Sequence, residues 1–256
     1  MGLHLYSNET PEALRRSQDA FVLASRLSPD YARAWAAQSY NLVQGWTRGW
    51  HEAAVLATAE EMALKAVQLD PNDHFNRSYL AFYYLNTGRF DRAIEEYEHA
   101  CSLNGNDANL LADFSEAMVC VGRHGDAVET VKQAILRNPH VPGWYRWDLA
   151  WAHYFLKDYD RAIAELDRII RPHNHVHLLA AASYARRGDR GRAAELIRRF
   201  LATEADWTLE KERQSVAFAH PEDWAHWIEG LRLAGLPDNP DAGGRAESIT
   251  ERDTQS

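Results

Sequence analysis

Apolar side chains return at intervals of three and four along most of the chain. Ala93, Tyr97 and Ala100 keep that spacing, as do Ala193, Ile197 and Phe200, which sets them on one face of a helix. Gly88, Gly122 and Gly188 interrupt the pattern where a helix end can turn left-handed at little cost. Ser28-Pro29, Asp70-Pro71 and Asn138-Pro139 interrupt it elsewhere, because the residue before a proline avoids the helical region. Asn8-Glu9-Thr10-Pro11 offers a capping side chain and a proline for a first turn. The spacing predicts a single helix over about 11–27, then helix pairs over 31–69, 74–103, 108–137, 143–170 and 174–202. Pro221 opens a last helix, with Trp224, Trp227, Ile228 and Leu231 on one face, closed by Gly235 and Pro237.

The pairs repeat. Ala59, Ala93 and Ala127 fall 34 residues apart, and so do Ala66, Ala100 and Ala134. Gly88 and Gly122 keep the same interval; Ala127, Ala162 and Ala193 continue it more loosely, at 35 and 31. Twelve residues before these alanines stand Ala81, Ser115, Ala150 and Ala181, each followed three residues later by a larger group: Tyr84, Met118, His153, Tyr184. Small opposite large lets two helices approach without a void. A 34-residue period of helix pairs resembles the tetratricopeptide repeat. That resemblance implies an all-α fold, a right-handed superhelical array of antiparallel pairs over 1–237. It would begin with a partial repeat at 2–27 and end in a cap over 207–237, covering the last apolar face. Pro29 to Pro71 is 42 residues, so the first full unit carries an insertion of eight around Gly45 to Trp50. Residues 238–256, with no aromatic residue, are expected to be disordered.

Three segments are more specific: TPEALRRSQDAFVLASRLSPDYARAWA, LRNPHVPGWYRWDLAWAHYFLKDYDRAIAEL and PEDWAHWIEGLRLAGLP. They resemble the C-terminal repeat region of bacterial class III adenylate/guanylate cyclase-like proteins; related arrays follow the winged-helix domain of some transcriptional regulators. The resemblance implies a sensory or partner-binding region attached to a separate output domain. A cyclase catalytic domain is a mixed α/β fold with metal-binding aspartates, and neither it nor a winged-helix pattern is present, so no catalytic residue carries over. The expectation is a non-catalytic interaction scaffold without a cofactor. Its alternative is the regulatory part of a cyclase or winged-helix regulator whose output domain lies outside this chain.

Charge narrows the partners. With 28 basic and 37 acidic side chains the formal charge is -9, which repels phosphate backbones and argues against nucleic acid. No apolar run reaches the ~18–20 residues of a membrane helix, and the N-terminus lacks the pattern of a secretory signal, so a cytoplasmic protein is expected. Cys101 and Cys120 lie in apolar helical patterns and read as small hydrophobes. Phosphate loops, dinucleotide fingerprints and the common hydrolase and zinc motifs are missing.

Two features carry candidate chemistry. His173, His175 and His177 alternate before a helix and form a weak metal candidate, although a helix would fan them apart. More informative is the aromatic run Trp144, Trp147, Trp151, Tyr154 and Phe155, spaced for one helical face. Leu149, Ala150 and His153 already occupy the slots against the partner helix, which leaves the aromatic face for the concave side. The inward slots of earlier pairs hold Phe75, Ser78, Phe82 and Leu85, then Asn109, Ala112, Glu116 and Val119. Phe75, Phe82, Trp144, Trp147, Trp151 and Tyr154 are thus expected to line an apolar, aromatic groove with one carboxylate, for a protein or peptide partner with an apolar or aromatic segment. Capture of a peptide's terminal carboxylates needs Lys, Arg and Asn in the inward slots; Ser78, Phe82, Ala112, Glu116, Trp147 and Trp151 stand there instead, so that mode is disfavoured.

Overall fold

A computed structural model describes residues 10–239 and contains thirteen helices and no strand among them. The expected stub at 2–9 and residues 240–256 of the expected tail lie outside the described residues. Helix α1 (Pro11–Leu27) starts on Thr10, whose hydroxyl accepts from the Ala13 N–H at 3.2 Å, with Pro11 in the first turn. It packs on α2 (Ala32–Thr47) through polar contacts: Gln38 donates to the Phe21 carbonyl and Ser25 Oγ, and Asn41 donates to Ser17 Oγ.

The pairs follow as α2 with α3 (Val55–Leu69), α4 (His74–Asn86) with α5 (Phe90–Asn104), and α6 (Ala108–Cys120) with α7 (His124–Arg137). Then come α8 (Gly143–Phe155) with α9 (Tyr159–Leu166), and α10 (Asn174–Arg187) with α11 (Arg190–Leu201). Ala59, Ala93, Ala127, Ala162 and Ala193 are all fully buried, so the second helix of each pair meets the first through small side chains at van der Waals distance. Aspartates cap several starts: Asp73 accepts from the Phe75 N–H and Asp107 from the Asn109 and Leu110 N–H groups, satisfying donors that have no partner inside the helix.

The turns within pairs differ in one place. Gly88, Gly122 and Gly188 each adopt positive φ, but the corresponding turn after α8 uses Lys157 at φ 61. A β-carbon there crowds the backbone, a cost of roughly 1–2 kcal/mol. The insertion in the first unit forms the loop 48–54, folded back so that the Gly45 carbonyl accepts from the Trp50 and His51 N–H groups. The α9 helix ends at Leu166, short of the expected span to 170.

Beyond α11 lie two helices, α12 (Leu209–Ser215) and α13 (Pro221–Ala234). The α13 helix packs on α10 and α11, and α12 reaches α2 at the opposite end of the array. The C-terminal segment therefore bridges the concave side of the solenoid as well as covering its last pair.

Candidate functional site

Several hydrogen bonds hold the C-terminal segment in place. Glu212, 3% exposed, accepts from Trp207 Nε1 at 2.8 Å through one carboxylate oxygen and from Trp227 Nε1 at 2.9 Å through the other. The Leu209 N–H donates to the Pro237 carbonyl, closing the loop around α12 and α13. The Ala219 N–H donates to the Cys120 carbonyl at 2.8 Å, which lays residues 216–220 across the end of α6. Beside that contact His124 and Asp223 approach to 3.3 Å.

This segment divides the aromatic stripe. Trp151 is 2% exposed, enclosed by Trp227 (ring centroids 4.6 Å, edge-on), Phe155 (4.9 Å) and Phe218 (5.9 Å). Tyr154 is fully buried, and its hydroxyl donates to the His226 carbonyl at 3.2 Å. Gly230 makes that approach possible, since a β-carbon there would overlap the Tyr154 hydroxyl. The expectation that Trp151 and Tyr154 face an open groove is thus corrected: α13 and residues 216–220 cover both. Burial raises the Tyr154 hydroxyl above its usual range, with Arg186 opposing.

The other expected residues keep part of their surface. Phe75 packs on Tyr79 at 4.2 Å with the Arg33 guanidinium 5.2 Å from its ring, and Phe82 packs on Tyr40 at 4.7 Å. Trp144 meets Tyr145 edge-on, and Trp147 stacks on Trp151 at 5.2 Å. Trp147 Nε1 has no hydrogen-bond partner in the protein.

The histidines separate as a helix start requires. His175 turns toward Phe200 and Trp207, whereas His177 lies under the influence of Arg199 and Arg192. Burial lowers both imidazoles below their usual range. The His173 and His175 rings stand 6.4 Å apart, and among the described residues no group of three His, Cys, Asp or Glu side chains could hold a metal ion.

The inner wall also carries more charge than the aromatic pattern suggests. Asn109, Asp113 and Glu116 follow one another at four and three residues on α6, one stripe of the helix. The Tyr145 hydroxyl donates to Asn109 Oδ1 at 2.7 Å and pins α8 against that stripe. One turn further along each helix stand Asp113 and Asp148. Asp148 is 5% exposed, and its Oδ2 has no hydrogen-bond partner in the protein. Burial pushes the Asp113 and Asp148 carboxyls well above the usual carboxylate range, and the charge of Glu116 adds to both. Glu116 itself is raised to about 7 by burial, against the pull of Arg48. Arg48 sits at the end of α2, where its charge also bears on Glu204, Glu212 and His175. Sequence reasoning found Glu116 and missed Asp113 and Asp148; the spacing of four from Asn109 to Asp113 was the available signal. A separate hollow of about 720 Å³ lies beside α13. Its border mixes Lys157, Arg186, Arg213 and Arg232 with Glu222, Asp223 and Glu229, which favours no single ligand chemistry.

Comparison with known proteins agrees with this architecture. Two tetratricopeptide-repeat family models match, at residues 80–107 and 174–199. No curated protein sequence matches the chain. Among solved structures, one in the APC/C hetero-tetramer Cut9-Hcn1 is 18% identical with a TM-score of 0.62, covering 86% of this chain and 39% of its own. TTC0263, a thermophilic repeat protein of Thermus thermophilus, is 17% identical with a TM-score of 0.56, covering 75% of this chain and 95% of its own. PilW, a type IV pilus biogenesis factor, is 16% identical with a TM-score of 0.56, covering 78% of this chain and 88% of its own. At such identities the likeness is one of fold. The chain spans about two fifths of the Cut9-Hcn1 chain it matches. No described helix is long and apolar enough to cross a membrane. The array is a tetratricopeptide-type solenoid.

Proposed function

We propose that this tetratricopeptide-repeat chain is a non-catalytic scaffold that binds a segment of a partner protein along its concave side, on the surface left open by the C-terminal bridge. The observation that carries the reading is the unequal treatment of the aromatic stripe. Its C-terminal half is buried by the protein's own segment, while Phe82, Trp144 and Trp147 stay partly exposed. Rings presented on rigid helices suit partner recognition, because a few such anchors carry most interface energy, commonly ~2 kcal/mol or more each. Phe75 lies on the same first-helix face of its repeat and extends the surface toward α2. The sequence likeness to repeat regions of cyclase-like proteins fits a module that reports partner binding to an output domain, and the reading does not depend on it.

The test separates anchor from packing. A partner captured from native extract and identified is titrated against the parent, Phe82→Ala and Trp147→Ala. The expected result is at least ~10-fold weaker binding for each variant, the equivalent of about 1.4 kcal/mol, with little change in melting temperature. Undiminished binding by both folded variants would falsify the groove.

A further inference from the structure

We infer that the hollow beside α13 is a site for a small carboxylate that carries an apolar ring, held by Lys157, Arg186 and Arg213. The site lies apart from the concave surface and does not depend on that reading.

The border of the hollow mixes both signs of charge, and the ion pairs within it decide what remains for a ligand. Glu229 holds Arg232 at 3.0 Å, and Asp223 faces His124 at 3.3 Å. Glu222 stands in the first turn of α13, where the helix dipole favours a negative charge. Lys157 and Arg213 have no ion pair or side-chain hydrogen bond among the described residues, and Arg186 meets no carboxylate. Three cations are left facing one free carboxylate, in a chain whose formal charge is -9.

Hydrogen bonds fix this arrangement. Arg186 donates to the His226 carbonyl at 2.8 Å, and the Tyr154 hydroxyl donates to the same oxygen at 3.2 Å. The Lys157 N–H donates to the Tyr154 carbonyl at 2.9 Å. The end of α8, α10 and α13 are thus tied together on one side of the hollow. Its mouth is open, because Lys157, Arg213, Glu222, Ala225 and Arg232 are all exposed on its border. The lining residues Phe155 and Ile228 are buried, and Trp224 is half-buried. A volume of about 720 Å³ falls within the ~300–1,000 Å³ of small-molecule sites, where apolar walls take the body of a ligand and a few charged groups fix its head.

Lys157 is a second, independent sign. Gly88, Gly122 and Gly188 supply the left-handed residue in the sister turns, and Lys157 takes that place at φ 61. A side chain held there is strained, and such strain gathers at binding sites. No ion pair or hydrogen bond of the lysine side chain within the described residues offsets it; a ligand from outside does. A carboxylate accepts two N–H groups from a guanidinium and meets the ammonium as a point charge. Inorganic phosphate would satisfy the cations and leave Phe155, Ile228 and Trp224 without a counterpart.

The full chain is titrated by calorimetry at low ionic strength with phenylacetate and with phenylacetamide, its neutral isostere. The acid is expected to bind ~10-fold or more tightly than the amide, as charge-assisted pairing implies. Lys157→Gly and Arg213→Gln should each abolish that preference with no fall in melting temperature. The first relieves a strained turn, and the second alters an exposed side chain that has no partner. Phe82→Ala, on the concave side, should leave the preference intact. Equal affinity for acid and amide in the parent overturns the inference, as does failure of both to bind. Persistence of the preference in both charge variants overturns it too. Its loss in Phe82→Ala would move the ligand to the concave surface and sink the assignment. Inorganic phosphate competing with the acid at equal concentration would overturn the apolar part and leave a plain oxyanion site.

Discussion

Replacing Glu212 with glutamine should loosen the C-terminal bridge with almost no change in side-chain volume. The carboxylate accepts from Trp207 and Trp227, one indole on each oxygen, at 2.8 and 2.9 Å. Glutamine keeps one acceptor and turns an NH2 group toward the other indole, so two donors face each other. The loss combines a charge-assisted hydrogen bond, about 1.5–3 kcal/mol, with an orphaned buried N–H, about 1–3 kcal/mol. Relief from burying a charge offsets part of this, since burial already raises the Glu212 pKa despite both indole donors. A net destabilisation of ~2 kcal/mol is expected, equivalent to a fall of roughly 4–8 °C in melting temperature for a chain of this size. Thermal unfolding followed by circular dichroism reads the shift. Tryptophan emission reports on the same clamp, because Trp207 and Trp227 are both buried and should redden as the segment opens. Glu212→Gln melting with the parent, with unchanged emission, would refute the clamp as the element that holds the bridge.

Three further outcomes follow from the same geometry. Trp151→Ala should cost about 3–5 kcal/mol in urea denaturation, as large core truncations do; a loss under ~1 kcal/mol would mean that the C-terminal segment does not enclose it. Glu116→Gln probes the raised carboxyl. A folded pKa of about 7 against 4.5 means the folded state binds more protons in that window, so this group's contribution falls as pH rises through it. The variant's advantage over the parent should therefore grow between those pH values, by ~1 kcal/mol or more, then level off; a pH-independent difference would contradict it. Lys157→Gly removes a β-carbon from a left-handed turn and should raise stability by roughly 0.5–1 kcal/mol, read as a higher urea midpoint; a lower midpoint would show that the lysine side chain is needed there.

The helices and their pairing were legible because they are local. Apolar spacing of three and four is set within a single turn or two, and the alanines recurring at intervals of 34, 34, 35 and 31 residues mark where neighbouring helices must touch. All five of Ala59, Ala93, Ala127, Ala162 and Ala193 are buried at such contacts. The aromatic stripe of α8 was legible as one face for the same reason. Its two fates were not. Whether Trp151 and Tyr154 meet a partner or their own chain depends on Phe218, Trp227 and Gly230, more than sixty residues away, and a helical period carries no information about what covers the face it creates. The acidic wall has the same origin. Nothing in the helical period marks Asp113 or Asp148, and only the packing of α6 on α8 sets them under one another's charge. The bridge from α12 to α2 and the influence of Arg48 on Glu212 join residues from opposite ends of the described chain. Local periodicity determined the solenoid, whereas the closure of its concave side, and with it the surface left for a partner, was decided by long-range burial that only the folded chain brings about.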